Sequence, residues 1–140
     1  MELQHFLAAI KAWAEDQPDI QGVLLVGSHA RGTARPDSDV DLVVLTTSPE
    51  RYLDSISFAE KFGPVSKWAK EDWGAVTSMR VWYQHGLEVE YGIALPAWAA
   101  LPLDPGTHQV ISDGMQIIFD RDGSLKSNLF STLGYNPGQG

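Results

Sequence analysis

Two short apolar runs, residues 23–26 and 40–45, constrain the fold of this chain more than any other feature. Both are rich in valine and leucine and are bounded by turn-forming residues, a pattern typical of strands buried inside a sheet. The preceding segment 2–16 has apolar residues at the three- and four-residue spacing of an amphipathic helix. The sequence therefore predicts an alternation of helices and strands, an α/β (α+β) chain.

The same alternation continues to the end of the chain. One or two helical turns are expected over 29–32, and a longer helix over 49–62. Segments 76–83 and 87–94 are predicted strands, joined by a hairpin turn. The remaining elements are a loop or short helix over 96–105 anchored by Trp98, a strand over 115–120, and a last helix through Leu125, Leu129 and Leu133.

The length of 140 residues predicts a single domain over 1–140, because such a chain buries a continuous core. No internal repeat or long linker divides it. The motifs described below lie within about 22–94, followed by a C-terminal extension over 96–135 and a frayed tail over 136–140.

Composition limits the partners. The chain has no cysteine, which excludes disulfides and thiolate chemistry. No run approaches the ~20 apolar residues of a membrane span, and the N-terminus lacks the features of a signal peptide. We therefore expect a cytoplasmic protein without a membrane segment. The net charge of −8 and the scattered basic residues disfavour binding to long nucleic acids, so a small-molecule or protein acceptor is expected.

Asp39 and Asp41 are the first candidates for chemistry. They lie two residues apart at the mouth of an expected strand, so both side chains project from one face. Adjacent carboxylates repel each other, and a divalent cation such as Mg²⁺ supplies the compensating charge. The alternative is a solvated turn over 37–39, in which the aspartates bind nothing.

A turn that contains Gly27 and Ser28 follows the first apolar run. Glycine allows close approach of the backbone to a ligand, and the N–H groups and hydroxyl at such a turn suit phosphate oxygens. Ser28 as a simple helix cap is the alternative. Arg31 either faces the phosphates or braces the loop by pairing with Asp37.

Glu88 and Glu90 alternate with apolar residues on the strand over 87–94, so they share one face. A neighbouring position in the sheet would bring one of them beside Asp41. The alternative is a strand with one wet face, on which neither glutamate has a role.

Together these residues resemble the signature of the DNA polymerase β-like nucleotidyltransferase superfamily. The chain reads Gly27-Ser28-His29-Ala30-Arg31-Gly32, then five residues, then Ser38-Asp39-Val40-Asp41-Leu42. The family pattern is Gly-Ser-x-Ala-Arg-Gly, a short spacer, and Ser-Asp-x-Asp-Leu, so every fixed position matches at the usual spacing. The resemblance covers about residues 22–94. The segment from Pro96 onward matches nothing that can be assigned residue by residue.

The resemblance implies a nucleotidyltransferase fold, a mixed β-sheet flanked by helices. It implies two Mg²⁺ ions bound by Asp39 and Asp41, with Glu90 as the third carboxylate, and these three as the catalytic residues. The binding residues for ATP or another nucleoside triphosphate would be Gly27, Ser28, Arg31 and Ser38. The implied reaction moves a nucleoside monophosphate, AMP from ATP foremost, onto a hydroxyl of a small molecule or protein and releases pyrophosphate.

Two other classes of function stay open. Small members of the superfamily often act as antitoxins paired with a helical toxin chain, and a relic that binds nucleotide without turnover is also conceivable. Five tryptophans (Trp13, Trp68, Trp73, Trp82 and Trp98) either line an acceptor pocket or belong to the core. Because few residues follow Glu90, we expect a second subunit or a helical protein partner to complete the acceptor side.

Overall fold

The computed structural model describes residues 1–100 and 104–132, with helices and strands alternating along the chain. The first half contains α1 (Leu3–Glu15), β1 (Ile20–Val26), α2 (Ser28–Arg31), β2 (Val40–Thr46), α3 (Glu50–Leu53) and a 3-10 helix (Ile56–Phe62). The second half contains β3 (Val65–Asp72), β4 (Thr77–Tyr83), β5 (Glu88–Ala94), a 3-10 helix (Pro96–Ala99), α4 (Pro105–Ser112), β6 (Gln116–Asp120) and α5 (Ser124–Thr132).

The strands form one mixed sheet in the order β3-β4-β5-β2-β1-β6. Neighbouring strands are antiparallel except β2 and β5, which run parallel. β1 and β2 lie inside the sheet and are buried almost throughout, which explains why both read as unbroken apolar runs. The fold is therefore the predicted mixed sheet flanked by helices.

Each face of the sheet has its own apolar core. On the first face, α1 and the 3-10 helix Ile56–Phe62 pack against the inward side chains of β1, β2, β4 and β5, with aromatic rings in edge contacts. On the second face, Ile111 of α4 and Leu125 and Leu129 of α5 cover β1 and β2. The described residues cover the second face only in part, and this leaves room for a site.

Three departures from the sequence prediction have physical causes. The helix expected over 49–62 is broken at Ser55, which is extended and caps the 3-10 helix by accepting a hydrogen bond from the Ser57 N–H. β3 was not predicted, because it is an edge strand with most side chains exposed and thus has no apolar periodicity. α4 was also missed, although Asp104 and Pro105 form a typical helix start. Leu133 and the tail 136–140 lie outside the described residues.

Within the described part of the chain, no helix combines the length and apolarity needed to cross a bilayer.

Candidate active site

The register of the central strands brings three carboxylates together on the second face. The parallel pairing of β2 with β5 sets Asp41 directly beside Glu90. Asp39 comes two residues before Asp41 and therefore projects from the same face. One oxygen from each of the three side chains lies within 4.8 Å of the other two. Asp39, Asp41 and Glu90 are termed the triad below.

Asp41 is the most perturbed member of the triad. Burial, the negative charge of Asp39, and the hydrogen bond and charge of Glu90 raise its pKa from 3.8 to about 7. Its Oδ1 atom is buried and has no hydrogen-bond partner among the described residues. A buried carboxylate oxygen without a partner costs free energy, and a hard cation is the ligand that such an oxygen suits. The donor set of the triad therefore fits Mg²⁺.

Gly27 brings the turn after β1 against the triad. Its backbone has φ of 76° and ψ of −158°, a region that is essentially restricted to glycine. A Cβ atom at this position would overlap the Asp41 carboxylate. The glycine is therefore needed both for the backbone conformation and for space, and it places the start of α2 next to Asp41.

The other predicted binding residues differ in position. The Ser38 hydroxyl accepts a hydrogen bond from the Arg35 N–H at 2.8 Å and so closes the turn before β2. His29 Nε2 lies 3.3 Å from the Ser38 carbonyl oxygen and links α2 to that turn. Arg31 is exposed, and its Cγ lies against Gly114, between α4 and β6. Within residues 1–100 and 104–132, no ion pair joins Arg31 to Asp37.

The two predicted glutamates are not equivalent. Glu90 belongs to the triad, whereas Glu88 lies two residues nearer the start of β5. The Glu88 carboxylate accepts a hydrogen bond from Arg80 at 2.6 Å. The group beside the aspartates is thus Glu90.

Sequence reasoning missed Arg80, a cation set among these carboxylates. It lies on β4 directly opposite Glu90 and bonds to four carboxylates. A single arginine at the centre of an otherwise uncharged strand was the signal that could have identified it.

An open pocket of about 390 Å³ lies beside the triad, with Asp41 and Glu90 in its lining. Gly92 and Ser78 line the pocket on the side of the sheet, whereas α4, Trp73 and Trp98 form its walls. Its volume is in the usual range for small-molecule sites. The tryptophans are Trp73, which is 63% exposed, and the half-buried Trp98. Among the remaining tryptophans, Trp13 belongs to the core of the first face.

Comparison with known proteins points in one direction. Residues 8–79 match the model of a family described as the nucleotidyltransferase domain. No curated protein sequence matches the chain.

Among solved structures, the chain is similar to an aminoglycoside 6-adenyltransferase from Bacillus subtilis, with a TM-score of 0.57 and 14% identity over 71% of this chain and 37% of that one. It is also similar to the polymerase core of TRAMP, an RNA surveillance complex, with a TM-score of 0.51 and 17% identity over 64% of this chain and 29% of that one. At such identities the likeness concerns the fold alone. The chain spans about a third of the length of these structures.

Proposed function

We propose that this chain transfers a nucleoside monophosphate from a nucleoside triphosphate to a hydroxyl group and releases pyrophosphate. The chain belongs to the nucleotidyltransferase domain family, and this membership supports the proposal. AMP from ATP is the donor group that we favour, and the acceptor is a small molecule or a protein. The observation that carries this proposal is the convergence of Asp39, Asp41 and Glu90 around the unpartnered Asp41 oxygen.

The triad would hold the divalent metal. Mg²⁺ bound there would offset the charge of the phosphates and lower the pKa of the acceptor hydroxyl. Without it, burial and the neighbouring negative charges of Asp39 and Glu90 disfavour the charged form of Asp41 and raise its pKa. In this assignment the same three residues are the catalytic ones, because they meet the reacting atoms.

The turn at Gly27 and Ser28 would hold the triphosphate. Because Gly27 lies against Asp41, the start of α2 is beside the triad, and its backbone N–H groups and the Ser28 hydroxyl would contact the phosphates there. Arg31, exposed at the end of α2, would supply a positive charge to the same phosphates. Ser38 would act through the shape of the turn that presents Asp39, because its hydroxyl already bonds to Arg35.

The pocket would hold the group next to the reacting phosphorus. Because Asp41 and Glu90 line it, a hydroxyl bound there has a carboxylate beside it that can accept its proton. As the O–H proton moves to the carboxylate, the hydroxyl oxygen bonds to the α-phosphorus. The bond between the α-phosphorus and the oxygen that bridges it to the β-phosphorus breaks, and pyrophosphate leaves. The acidic lining, which also includes Asp104, favours a neutral or cationic acceptor.

A labelling experiment tests the proposal. The purified chain is incubated with Mg²⁺ and each α-labelled nucleoside triphosphate, with cell extract as the source of acceptors. We expect label from ATP to enter an acceptor with the wild-type chain and with Asp72→Asn, an exposed control, but not with Asp41→Asn. If all of the label stays in nucleotide with all four triphosphates, the proposal is contradicted.

A further inference from the structure

Arg80 contacts the triad from the side of β4. Its Nη1 lies 3.1 Å from Asp39 Oδ2, and its Nη2 lies 3.1 Å from Glu90 Oε2. Only 21% of its side chain is exposed. Two of the three carboxylates that we assign to the metal are therefore already bonded to a fixed cation.

Two further carboxylates hold the same guanidinium from outside the triad. Arg80 Nε donates to Glu71 Oε1 at 2.8 Å, and Nη1 donates to Glu88 Oε2 at 2.6 Å. Both distances are shorter than the two contacts to the triad. If the triad contacts were lost, the guanidinium would keep its two shorter bonds, so it can leave the triad without becoming unpaired.

We propose that Arg80 is the resident counter-cation of the triad, which partly offsets the charges of Asp39 and Glu90 in the metal-free protein and withdraws onto Glu71 and Glu88 when a divalent metal binds. The inference rests on the proposed metal site. It makes Arg80 a positioning residue, because it keeps mutually repelling carboxylates assembled and lowers the affinity of the triad for free metal. Glu71 then favours metal binding by drawing the guanidinium away.

A Mn²⁺ titration of the metal-free full chain tests this without turnover. Binding is measured as the loss of the free-Mn²⁺ signal in electron paramagnetic resonance. We expect Arg80→Gln to bind Mn²⁺ about tenfold more tightly than wild type, a typical size for coupling between competing ligands. Lys70→Gln on the exposed edge strand is the matched control for loss of one positive charge. Its effect should stay below about twofold, because solvent screens exposed charges.

Glu71 supplies a second test that separates its action through Arg80 from a direct charge effect. We expect Glu71→Gln to weaken Mn²⁺ binding several-fold, and the neighbouring exposed Asp72→Asn to change it little. In the Arg80→Gln background the effect of Glu71→Gln should disappear, because nothing is left for Glu71 to hold. This second comparison also serves if Arg80→Gln proves unstable, since the Glu71→Gln and Asp72→Asn single variants retain the arginine.

The outcomes separate the inference from the function it rests on. Suppose that wild type binds Mn²⁺ and that Asp41→Asn abolishes this binding. Unchanged or weaker Mn²⁺ binding by Arg80→Gln would then contradict the role of Arg80 but support the metal site. Equal effects of Glu71→Gln and Asp72→Asn would also contradict that role. If neither wild type nor Arg80→Gln shows binding that depends on Asp41, both the metal site and the inference fail.

Discussion

The ionisation of Asp41 connects stability to pH. Its pKa is raised from 3.8 to about 7, so the folded state disfavours the charged form. The contribution of Asp41 to the free energy of unfolding is therefore greatest below about pH 4 and is lost as pH rises through 7. In metal-free protein at pH 8, Asp41→Asn should raise the melting temperature by about 3 °C or more, the shift that roughly 1 kcal/mol produces at this size. Near pH 4 the melting temperatures of wild type and Asp41→Asn should be almost equal. An equal rise in melting temperature at both pH values would contradict the ionisation of Asp41 as the cause.

The same substitution separates stability from activity. Asp39→Asn and Asp41→Asn should each abolish nucleotidyl transfer while the chain stays folded, because each removes a proposed metal ligand. Labelled-nucleotide transfer in saturating Mg²⁺ measures this, with circular dichroism as the check on folding. Near-normal turnover by either variant would show that the metal assignment is wrong.

Glu90 and Glu88 provide a matched pair on one face of β5. Glu90→Gln should lower kcat by about 100-fold or more, since it removes a proposed metal ligand and a candidate proton acceptor from the triad. Glu88→Gln, which alters only a contact to Arg80, should cost far less at saturating Mg²⁺. Comparable losses in steady-state assays of the two variants would refute the distinction.

Gly27 and Gly32 have nearly the same φ, 76° and 75°, but different surroundings. Gly32 lies in the left-handed helical region, and no atom of the described residues lies within 4 Å of the position that a Cβ would occupy, so Gly32→Ala should cost about 1–2 kcal/mol. Gly27→Ala adds overlap with the Asp41 carboxylate and should abolish transfer as well as destabilise the chain. Urea unfolding and transfer assays on both variants measure the difference, and retained activity in Gly27→Ala would contradict it.

At the scale of elements, Asp19 joins the first strand to its surroundings. Its carboxylate accepts hydrogen bonds from Thr46 at 2.6 Å and Tyr52 at 2.7 Å and pairs with Arg51, tying β1 to the end of β2 and to α3. Burial alone would raise the pKa of Asp19, but these bonds outweigh it, so the net pKa is lowered. The stabilisation is thus present above pH 3.8 and is lost as pH falls through the lowered folded-state pKa.

Asp19→Asn should therefore lower the free energy of unfolding by about 2 kcal/mol at neutral pH, the usual worth of hydrogen bonds to a charged group. Urea titrations at pH 7 and at pH 3 measure it, with the exposed Asp16→Asn as control. The cost should shrink at pH 3. A loss that is independent of pH, or that Asp16→Asn reproduces, would count against this role.

The elements also mark how far the sequence could be interpreted. β1, β2 and the β4–β5 hairpin were predictable because burial imposes apolar runs and alternation on them. β3 lacks such a pattern at the sheet edge, and the break at Ser55 depends on a local cap. The closeness of Asp39 to Asp41 follows from two-residue spacing, whereas that of Glu90 needs the parallel register of β2 with β5, which one strand alone does not encode. Arg80 lies opposite Glu90 only in the particular register of the β4–β5 hairpin, which the turn between the two strands sets.

At the scale of the whole molecule, the described residues wall the pocket proposed to hold the acceptor only in part. The 3-10 helix Pro96–Ala99 and α4 cover one side, whereas Trp73 stands 63% exposed at the turn between β3 and β4. The edge strand β3 pairs only with β4 within the described sheet, so it can receive a further strand. Because we propose that a second subunit or partner orients the acceptor, we expect the isolated chain to transfer poorly to a free small molecule. Light scattering and transfer assays on the pure chain measure this, and an efficient strict monomer would contradict it.

The parallel contact between β2 and β5 has a consequence for how such a chain can evolve. The two strands are adjacent in the sheet although residues 47–87 separate them in sequence. The register of β2 with β5 does not depend on the length of this connecting segment, so insertions at its turns leave the triad intact. A one-residue slip within β5, in contrast, would turn Glu90 to the opposite face. The β3–β4 hairpin, whose turn carries Trp73, lies within this connecting segment. A longer hairpin would therefore change the wall of the pocket that Trp73 forms while the carboxylates of the proposed metal site keep their positions.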